Sequence, residues 1–462
     1  MTLEEEVIRL RAENAELRAL VAQLQEQLAT ALARIAELEQ QRHDPPPFIK
    51  PNKPTRTEPR PPRKKRDARH NRARPRETPT RSVDHALDRC PDCQYQLRGM
   101  SVAYTRQVIE LPPPPPVDVI AHRVIKRWCP VCRRWHHPQL DLRGQAVGRS
   151  RIGVRLASVI SWLRTTLRLP LAAIQAYLRS IHQLTLSRGG IQTILHAVCQ
   201  TTQPAVEALK QQAQQSPVLH GDETGWRENG RNGYIWSFST PGVDAVRYYT
   251  YDPSRGQAVV KRMVHGQFSG HLVSDFYAGY NTYTGKHQRC WVHLVRDLHT
   301  LKELHPSDAA VQEWATAVRA TYDGANAWVT AHAQAPPDAR EAQYVQQTGQ
   351  THALGLQYAR VKGHPCQALA KRLLRHEDEL FQFVLIPGMR ADNNLAERAI
   401  RPLVVIRKIS GGSRSAAGTQ TRMALASLFH TWQARGLNAF AQCLALLSHP
   451  IPPTAESLLP QL

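Results

Sequence analysis

The sequence predicts a multidomain α+β protein. Three observations carry that expectation: a heptad pattern at the N-terminus, two Cys-x-x-Cys pairs, and short strand-like runs after residue 216 that give way to long helical stretches. The 462 residues are too many for one ordinary core. A formal charge of +22 points to a polyanionic partner, nucleic acid or an anionic membrane surface. No run of about 18 apolar residues suggests a membrane span. No basic segment followed by an apolar core marks a secretory signal. The expectation is a soluble chain of the cytoplasm. Eight cysteines, four of them in Cys-x-x-Cys pairs, fit a reduced compartment and a metal site better than disulfides.

Residues 1–41 read as a coiled coil. Leu3, Leu10, Leu17, Leu24, Ala31 and Leu38 form one seven-residue series, and Val7, Asn14, Val21, Leu28 and Ile35 form the other. Valine at a, leucine at d and a single Asn at a favour a parallel dimer in one register. An amphipathic helix packed on its own protein is the alternative. Residues 42–82 read as a basic disordered linker with Pro45–Pro47 and many cations, Arg63, Lys64, Lys65 and Arg66 among them. Such a segment buries too little apolar surface to fold alone. It serves as a solubilising tether, a phosphate-binding arm, or both.

Residues 83–142 read as a zinc-binding domain. Cys90 and Cys93, with Cys129 and Cys132, offer four thiolates on two knuckles, which suits a structural, tetrahedral Zn²⁺ site. Tyr104–Leu111 and Val117–Trp128 read as strands around Pro112–Pro116, giving a zinc ribbon. His136 and His137 are surplus to a four-cysteine set. Residues 143–215 read as helices. A second helix starting near Ser187 suggests a helix-turn-helix, with Ser187, Arg188, Gln192 and Thr193 facing a groove, although plain helical packing gives the same pattern.

From 216 to 297 the pattern predicts three strands, a helix, a strand and a helix, the first part of a catalytic domain. Residues 298–385 read as a helical insertion. Residues 386–449 resume the domain, with Asp392 as a helix N-cap, and 450–462 form a tail. Asp222 and Asp275 each end an apolar run, and Glu397 sits near the start of a helix. Two carboxylates at strand ends and one on a helix can meet at one sheet edge. Hard oxygen ligands suit Mg²⁺ or Mn²⁺. Two such ions about 3.5–4 Å apart can hold both oxygens of a phosphodiester displacement. Glu223 and Asp297 are rival ligands. Arg398, Arg401, Arg407, Lys408 and Arg414 place positive charge beside Glu397. Gly411-Gly412-Ser413 could offer backbone amides to a phosphate. Cys290 and His293 could form a metal pair, or His293 could position a phosphate or water. Trp226 and Tyr280 could stack on a base or pack in the core.

His220-Gly-Asp-Glu-Thr-Gly-Trp-Arg227, Val273-Ser-Asp-Phe-Tyr-Ala-Gly-Tyr280, Cys290-Trp-Val-His293 and Asp392-Asn-Asn-Leu-Ala-Glu-Arg-Ala-Ile-Arg-Pro402 together resemble the insertion sequence 66 family of transposases, in the Asp-Asp-Glu superfamily. The resemblance implies a ribonuclease H-like catalytic fold, with Asp222, Asp275 and Glu397 as the catalytic, Mg²⁺-binding residues. It implies DNA cleavage and strand transfer at the terminal inverted repeats of a mobile element. Its partners would be the element's ends, target DNA, a second copy of the chain and companion proteins of the element, at the nucleoid. A DNA-binding regulator without catalysis and a metal-dependent nuclease are the alternatives.

Overall fold

The computed structural model describes residues 3–40, 77–148, 150–264, 266 and 268–449. The basic run Arg63, Lys64, Lys65 and Arg66 and the 450–462 tail lie outside the described residues. The chain divides into two compact units, Met1–Glu110 and Leu111–Leu462.

The first unit begins with the helix α1, Leu3–Gln40. Leu17, Val21, Leu24, Leu28 and Ile35 on its heptad positions are each more than half exposed. In the same unit the Cys90 knuckle is closed by Gln94 N–H donating to Cys90 O and Cys90 N–H donating to Tyr95 O, both at 2.9 Å. Gln94, directly after Cys93, takes a positive φ of 62°.

The second unit opens with two short antiparallel strands, β1 (Arg127–Cys129) and β2 (Arg134–His136). Arg133, directly after Cys132, has φ 48°, so each knuckle uses a left-handed residue at the same place. The strands expected over Tyr104–Leu111 and Val117–Trp128 do not form, apart from the overlap of the latter with β1. The reason is that extended backbone needs a neighbour for its hydrogen bonds and its apolar face. Tyr104, Val108, Ile109 and Val119 are at least 80% exposed. The prolines between the two segments also lack the N–H a ladder needs.

Helices α2 (Val154–Thr165), α3 (Leu171–His182) and α4 (Arg188–Gln214) follow. Pro170 precedes α3, and the Ser187 hydroxyl caps α4 by accepting from Gly190 N–H at 3.0 Å. Their apolar faces share one core with the sheet: Ile160, Ile174, Leu195 and Val198 cluster with Leu219, Trp236, Phe238 and Phe429.

The sheet is five-stranded, in the order β5-β4-β3-β6-β7. Its strands are β3 (Val218–Glu228), β4 (Arg231–Ser239), β5 (Arg247–Asp252), β6 (His271–Ser274) and β7 (His287–Arg289). β3, β4 and β5 form an antiparallel meander, while β6 and β7 run parallel to β3. Asn229 and Gly230, with φ 49° and 75°, close the first hairpin in two residues. The turn is therefore tighter than the polar Arg227–Gly233 run suggests. α5 (Ala258–Val264) crosses between the meander and β6.

α6 (Trp291–Leu304) follows β7. Then come α7 (Ala309–Ala331), α8 (Pro337–Tyr358), α9 (Gln367–Arg375) and the single turns α10 (Glu377–Leu380) and α11 (Gln382–Leu385). They enclose a second core with Trp291, Trp314, Val318, Leu373 and Phe381. α12 (Asn394–Ser410) and α13 (Ala416–Ala434) cover the meander through Leu403, Ile406 and Met423, packed with Trp226 and Ile235. α14 (Ala439–Ser448) closes the unit. Asn393, not Asp392, is the α12 N-cap residue. The Asp392 carboxylate instead accepts from Asn394 N–H at 3.0 Å and pairs with Arg390 at 2.8 Å.

Candidate active site

β3 and β6 pair in parallel up to His220↔Val273. Asp222 and Asp275 each stand two residues further on: Asp275 directly follows the end of β6, whereas Asp222 lies within β3, opposite Ser237 of β4, rather than at the strand end the sequence suggests. A second link fixes Asp275. The buried Arg289 guanidinium donates to the Asp275 carbonyl at 2.9 Å, to Asn281 Oδ1 at 2.6 Å and to Glu379 Oε2 at 2.6 Å. The Asp275 carboxylate caps the following turn by accepting from Tyr277 N–H at 2.9 Å.

α12 brings in Glu397. Asn393, at its start, donates from Nδ2 to Gly221 O at 2.7 Å and faces His220 Nδ1 with Oδ1 at 3.1 Å. Its own N–H donates to Cys290 Sγ at 3.2 Å. One turn on, Glu397 N–H donates to Asn393 O at 3.2 Å. The Glu397 carboxylate lies 3.9 Å from His293 Nε2.

The electrostatics tie these groups together. Burial first, then the charges of Glu223, Asp275 and Glu397, push the Asp222 carboxyl up to about 7. Like charges crowded in a half-buried place disfavour ionisation. A divalent cation bound by oxygen ligands would reverse that penalty. Among the described residues, however, the ligand oxygens of Asp222, Asp275 and Glu397 do not all lie within 4.8 Å of one another. The two rivals are engaged elsewhere. Glu223 is held by Arg255 at 2.6 Å and by the Tyr280 hydroxyl at 2.7 Å. Asp297 pairs with Arg372 at 2.5 Å.

The profile of the Transposase IS66 family matches residues 149–421, which include all three carboxylates. The chain belongs to this family. A comparison with curated proteins gives no match. As a family member, the chain carries its match from α2 into α13, across both the helical region and the sheet.

Other expected site residues fall differently. Arg188, Arg398, Arg401, Lys408 and Arg414 are exposed. Arg407 instead turns inward, donating to Thr224 Oγ1 at 3.2 Å and to Gly225 O. Trp226 and Tyr280 are buried and pack in the core, so neither offers a face to a base. The Gly411-Gly412-Ser413 turn docks on β3: Ser413 N–H donates to Arg227 O at 2.8 Å, so that amide is not free for a phosphate. Gly412 is required there because a Cβ would lie 2.1 Å from Arg227 O. Cys290 is buried as the acceptor of Asn393 N–H, and neither it nor His293 belongs to a cluster of three metal-ligating groups among the described residues.

The ligand atoms of Cys129, Cys132 and His136 lie within 4.8 Å of one another. Cys132 N–H points at Cys129 Sγ at 3.4 Å, and this backbone contact lowers the Cys129 thiol. Soft thiolates with an imidazole suit Zn²⁺. His136, surplus by spacing, thus joins the pair because β2 brings it back beside Cys129. Cys90 and Cys93 lie in the first unit.

Sequence reasoning left Asn393, Arg289 and Glu379 without a role. Asn393 stood within a recognised motif, but its bond to Gly221 spans 172 residues and left no local signal.

Proposed function

We propose that this chain is a DNA transposase that cuts and joins DNA at the ends of its own mobile element. The observation that carries the reading is the raised Asp222 carboxyl, whose charge neighbours include both Asp275 and Glu397. The sheet order, with an antiparallel meander beside two parallel strands, is read as a ribonuclease H-like core.

Asp222, Asp275 and Glu397 would hold Mg²⁺ or Mn²⁺. Bound there, the metal supplies Lewis acidity to the attacking and leaving oxygens of a phosphodiester. The residues supply the frame. Asn393 and Arg289 fix the two backbones that carry the acids, and His293 faces Glu397 and orients its carboxylate. Water attacks the phosphorus at the element's end as the bond to the 3′ oxygen breaks, leaving a 3′-hydroxyl. That hydroxyl then attacks the phosphorus of a target phosphodiester, and the new P–O bond forms as the target's own P–O3′ bond breaks, leaving a 3′-hydroxyl on the flanking target strand. Exposed Arg188, Arg398, Arg401, Lys408 and Arg414 hold the phosphate backbone, with the basic run 63–66 as an added arm. Zn²⁺ on Cys129 and Cys132 stiffens the β1–β2 hairpin. His136 would be a third ligand, with the fourth position left to a further donor. α1 pairs two copies through its exposed heptad face.

The test is Mg²⁺-dependent cleavage of a labelled duplex carrying the element's end. Wild type cuts it and Glu397→Ala does not. A joined product separates transposition from simple nuclease action. Zinc-dependent binding without cleavage by wild type would point to a regulator instead.

A further inference from the structure

We propose that Trp128 and Trp135, side by side on the β1–β2 hairpin, form a stacking surface for unpaired bases of single-stranded DNA. The surface rests on the DNA-binding reading above and uses none of the three carboxylates.

Trp128 and Trp135 are partners in the strand register, so both side chains leave the same face of the hairpin. Their ring centres are 5.7 Å apart, edge to face, with 64° between the planes. Lys126 reaches the same face, with Nζ 4.9 Å from the centre of the Trp135 ring. Cys129 and His136 stand one residue further along each strand, so they project from the opposite face. Metal binding there leaves the aromatic face open.

Large aromatic rings carry much apolar area and usually bury it. The chain keeps to that elsewhere. Trp226, Trp236, Trp291, Trp314 and Trp432 are at most 3% exposed, and Trp162 and Trp328 are half-buried. Trp128 and Trp135 are 49% and 55% exposed. A cross-strand aromatic pair helps hold a hairpin, which accounts for the contact between the rings. It does not account for the area they leave open to solvent.

Charge selects the occupant. Between Asp118 and Asp141 the chain carries Arg123, Lys126, Arg127, Arg133 and Arg134 and no acidic residue. All five cations are exposed. Two such hairpins repel each other, so the face is not built to cover a second copy of itself. A polyanion with flat rings satisfies the cations and the tryptophans together. In a paired duplex the base faces already stack on one another, so unpaired bases are the ones that offer a face. The family match to transposases favours DNA over an anionic lipid surface, which draws the same groups. Near the carboxylates the chain provides no such surface, because Trp226 and Tyr280 are buried. Strand cleavage, in contrast, creates a strand end that can leave the duplex.

The experiment measures full-length wild type, Trp128→Leu and Trp128→Phe on oligothymidylate, which has no pairing partner, and on a covalently closed duplex. Leucine keeps an apolar side chain in the hairpin and removes the ring, whereas phenylalanine keeps a ring. Trp128→Leu should lose about tenfold in affinity for oligothymidylate, within the range that stacking of a base on an aromatic ring carries. Trp128→Phe should bind within about threefold of wild type. All three proteins should bind the closed duplex alike. The slope of log K against log salt should not change, because no phosphate contact is lost. An equal loss for Trp128→Leu on both DNAs would mean a damaged hairpin or a backbone contact, and refutes the surface. A Trp128→Phe protein that falls as far as Trp128→Leu refutes it as well. So does a Trp128→Leu protein that binds oligothymidylate as wild type does; loss of its adhesion to phosphatidylglycerol vesicles would then mark a lipid surface, and loss of an oligomer in sedimentation an interface between copies. Wild type that binds the closed duplex but not oligothymidylate overturns this surface alone. Wild type that binds neither DNA overturns the proposed function together with it.

Discussion

Asn393 Nδ2 donates to the Gly221 carbonyl at 2.7 Å. That bond joins the start of α12 to β3 one residue before Asp222, so the helix bearing Glu397 is set against the strand bearing Asp222. The same side chain faces buried His220, which burial holds down to about 4 and therefore neutral. Asn393→Ala strands a buried carbonyl and an imidazole, at a cost of about 1–3 kcal/mol. Denaturant unfolding should show that loss. Cleavage should fall further than the unfolded fraction explains, because Glu397 is no longer held in place. An Asn393→Ala protein that cuts normally would break the link.

Asp222 gives a pH dependence with a definite sign. Its folded carboxyl stands at about 7, against about 3.9 in an unfolded chain. Between those values the folded state keeps a proton that the unfolded state has lost. Stability from this group therefore falls as pH rises through that window and is level above it. Asp222→Asn removes the penalty, so its thermal midpoint should gain more at pH 8 than at pH 4. Mg²⁺ requires the ionised acid. Its stabilisation of wild type should grow as pH passes about 7 and vanish in the Asn variant. Equal Mg²⁺ effects in both proteins would remove Asp222 from the ligand set.

Arg289 couples the helical insertion to Asp275. Burial alone would raise Glu379. The hydrogen bond from His376, together with the charge and hydrogen bond of Arg289, outweighs it and holds the carboxyl down to about 2. With a depressed folded value, this stabilisation is present above about 4.3 and is lost as pH falls toward 2. Arg289→Leu leaves Glu379 with His376 as its remaining partner and strips the Asp275 carbonyl and Asn281 of their donor, and should cost about 1–3 kcal/mol. Urea unfolding checks the magnitude. A loss well under that range would mean the network carries little.

For the zinc site, the discriminating measurement is metal content after chelation and refilling. If His136 is a ligand, His136→Ala lowers Zn²⁺ affinity and leaves Cys90→Ser without effect. If His136→Ala leaves the Zn²⁺ affinity unchanged, His136 is not a ligand. Cys129→Ser should lose the metal in either case.

The exposed heptad face of α1 predicts self-association. Leu24→Asp places a charge in the middle of the seam. Sedimentation should show a dimer for wild type and a monomer for the variant, whereas a wild-type monomer would rule out the seam.

The mixed order of strands and helices was legible in the sequence because it rests on local patterning, and the same patterning singled out the three acids. Apolar runs end at Asp222 and Asp275, and helical spacing surrounds Glu397. The α1 helix was legible for the same reason, since its heptads need no distant partner to be seen. The sequence also set the knuckle turns, where a residue following each second cysteine takes a left-handed conformation.

Tertiary structure decided what these elements touch. The strands expected at 104–111 and across most of 117–128 failed because β-propensity needs a neighbouring strand, and no local pattern supplies one. Arg407 read as a surface cation until β3 offered it a carbonyl. His136 read as spare until the β1–β2 hairpin returned it to Cys129. Asn393 to Gly221 and Arg289 to Glu379 are both contacts across long stretches of chain. Hydrogen bonding and charge at such separations depend on where the fold puts each group in space, and only the folded chain contains that distance.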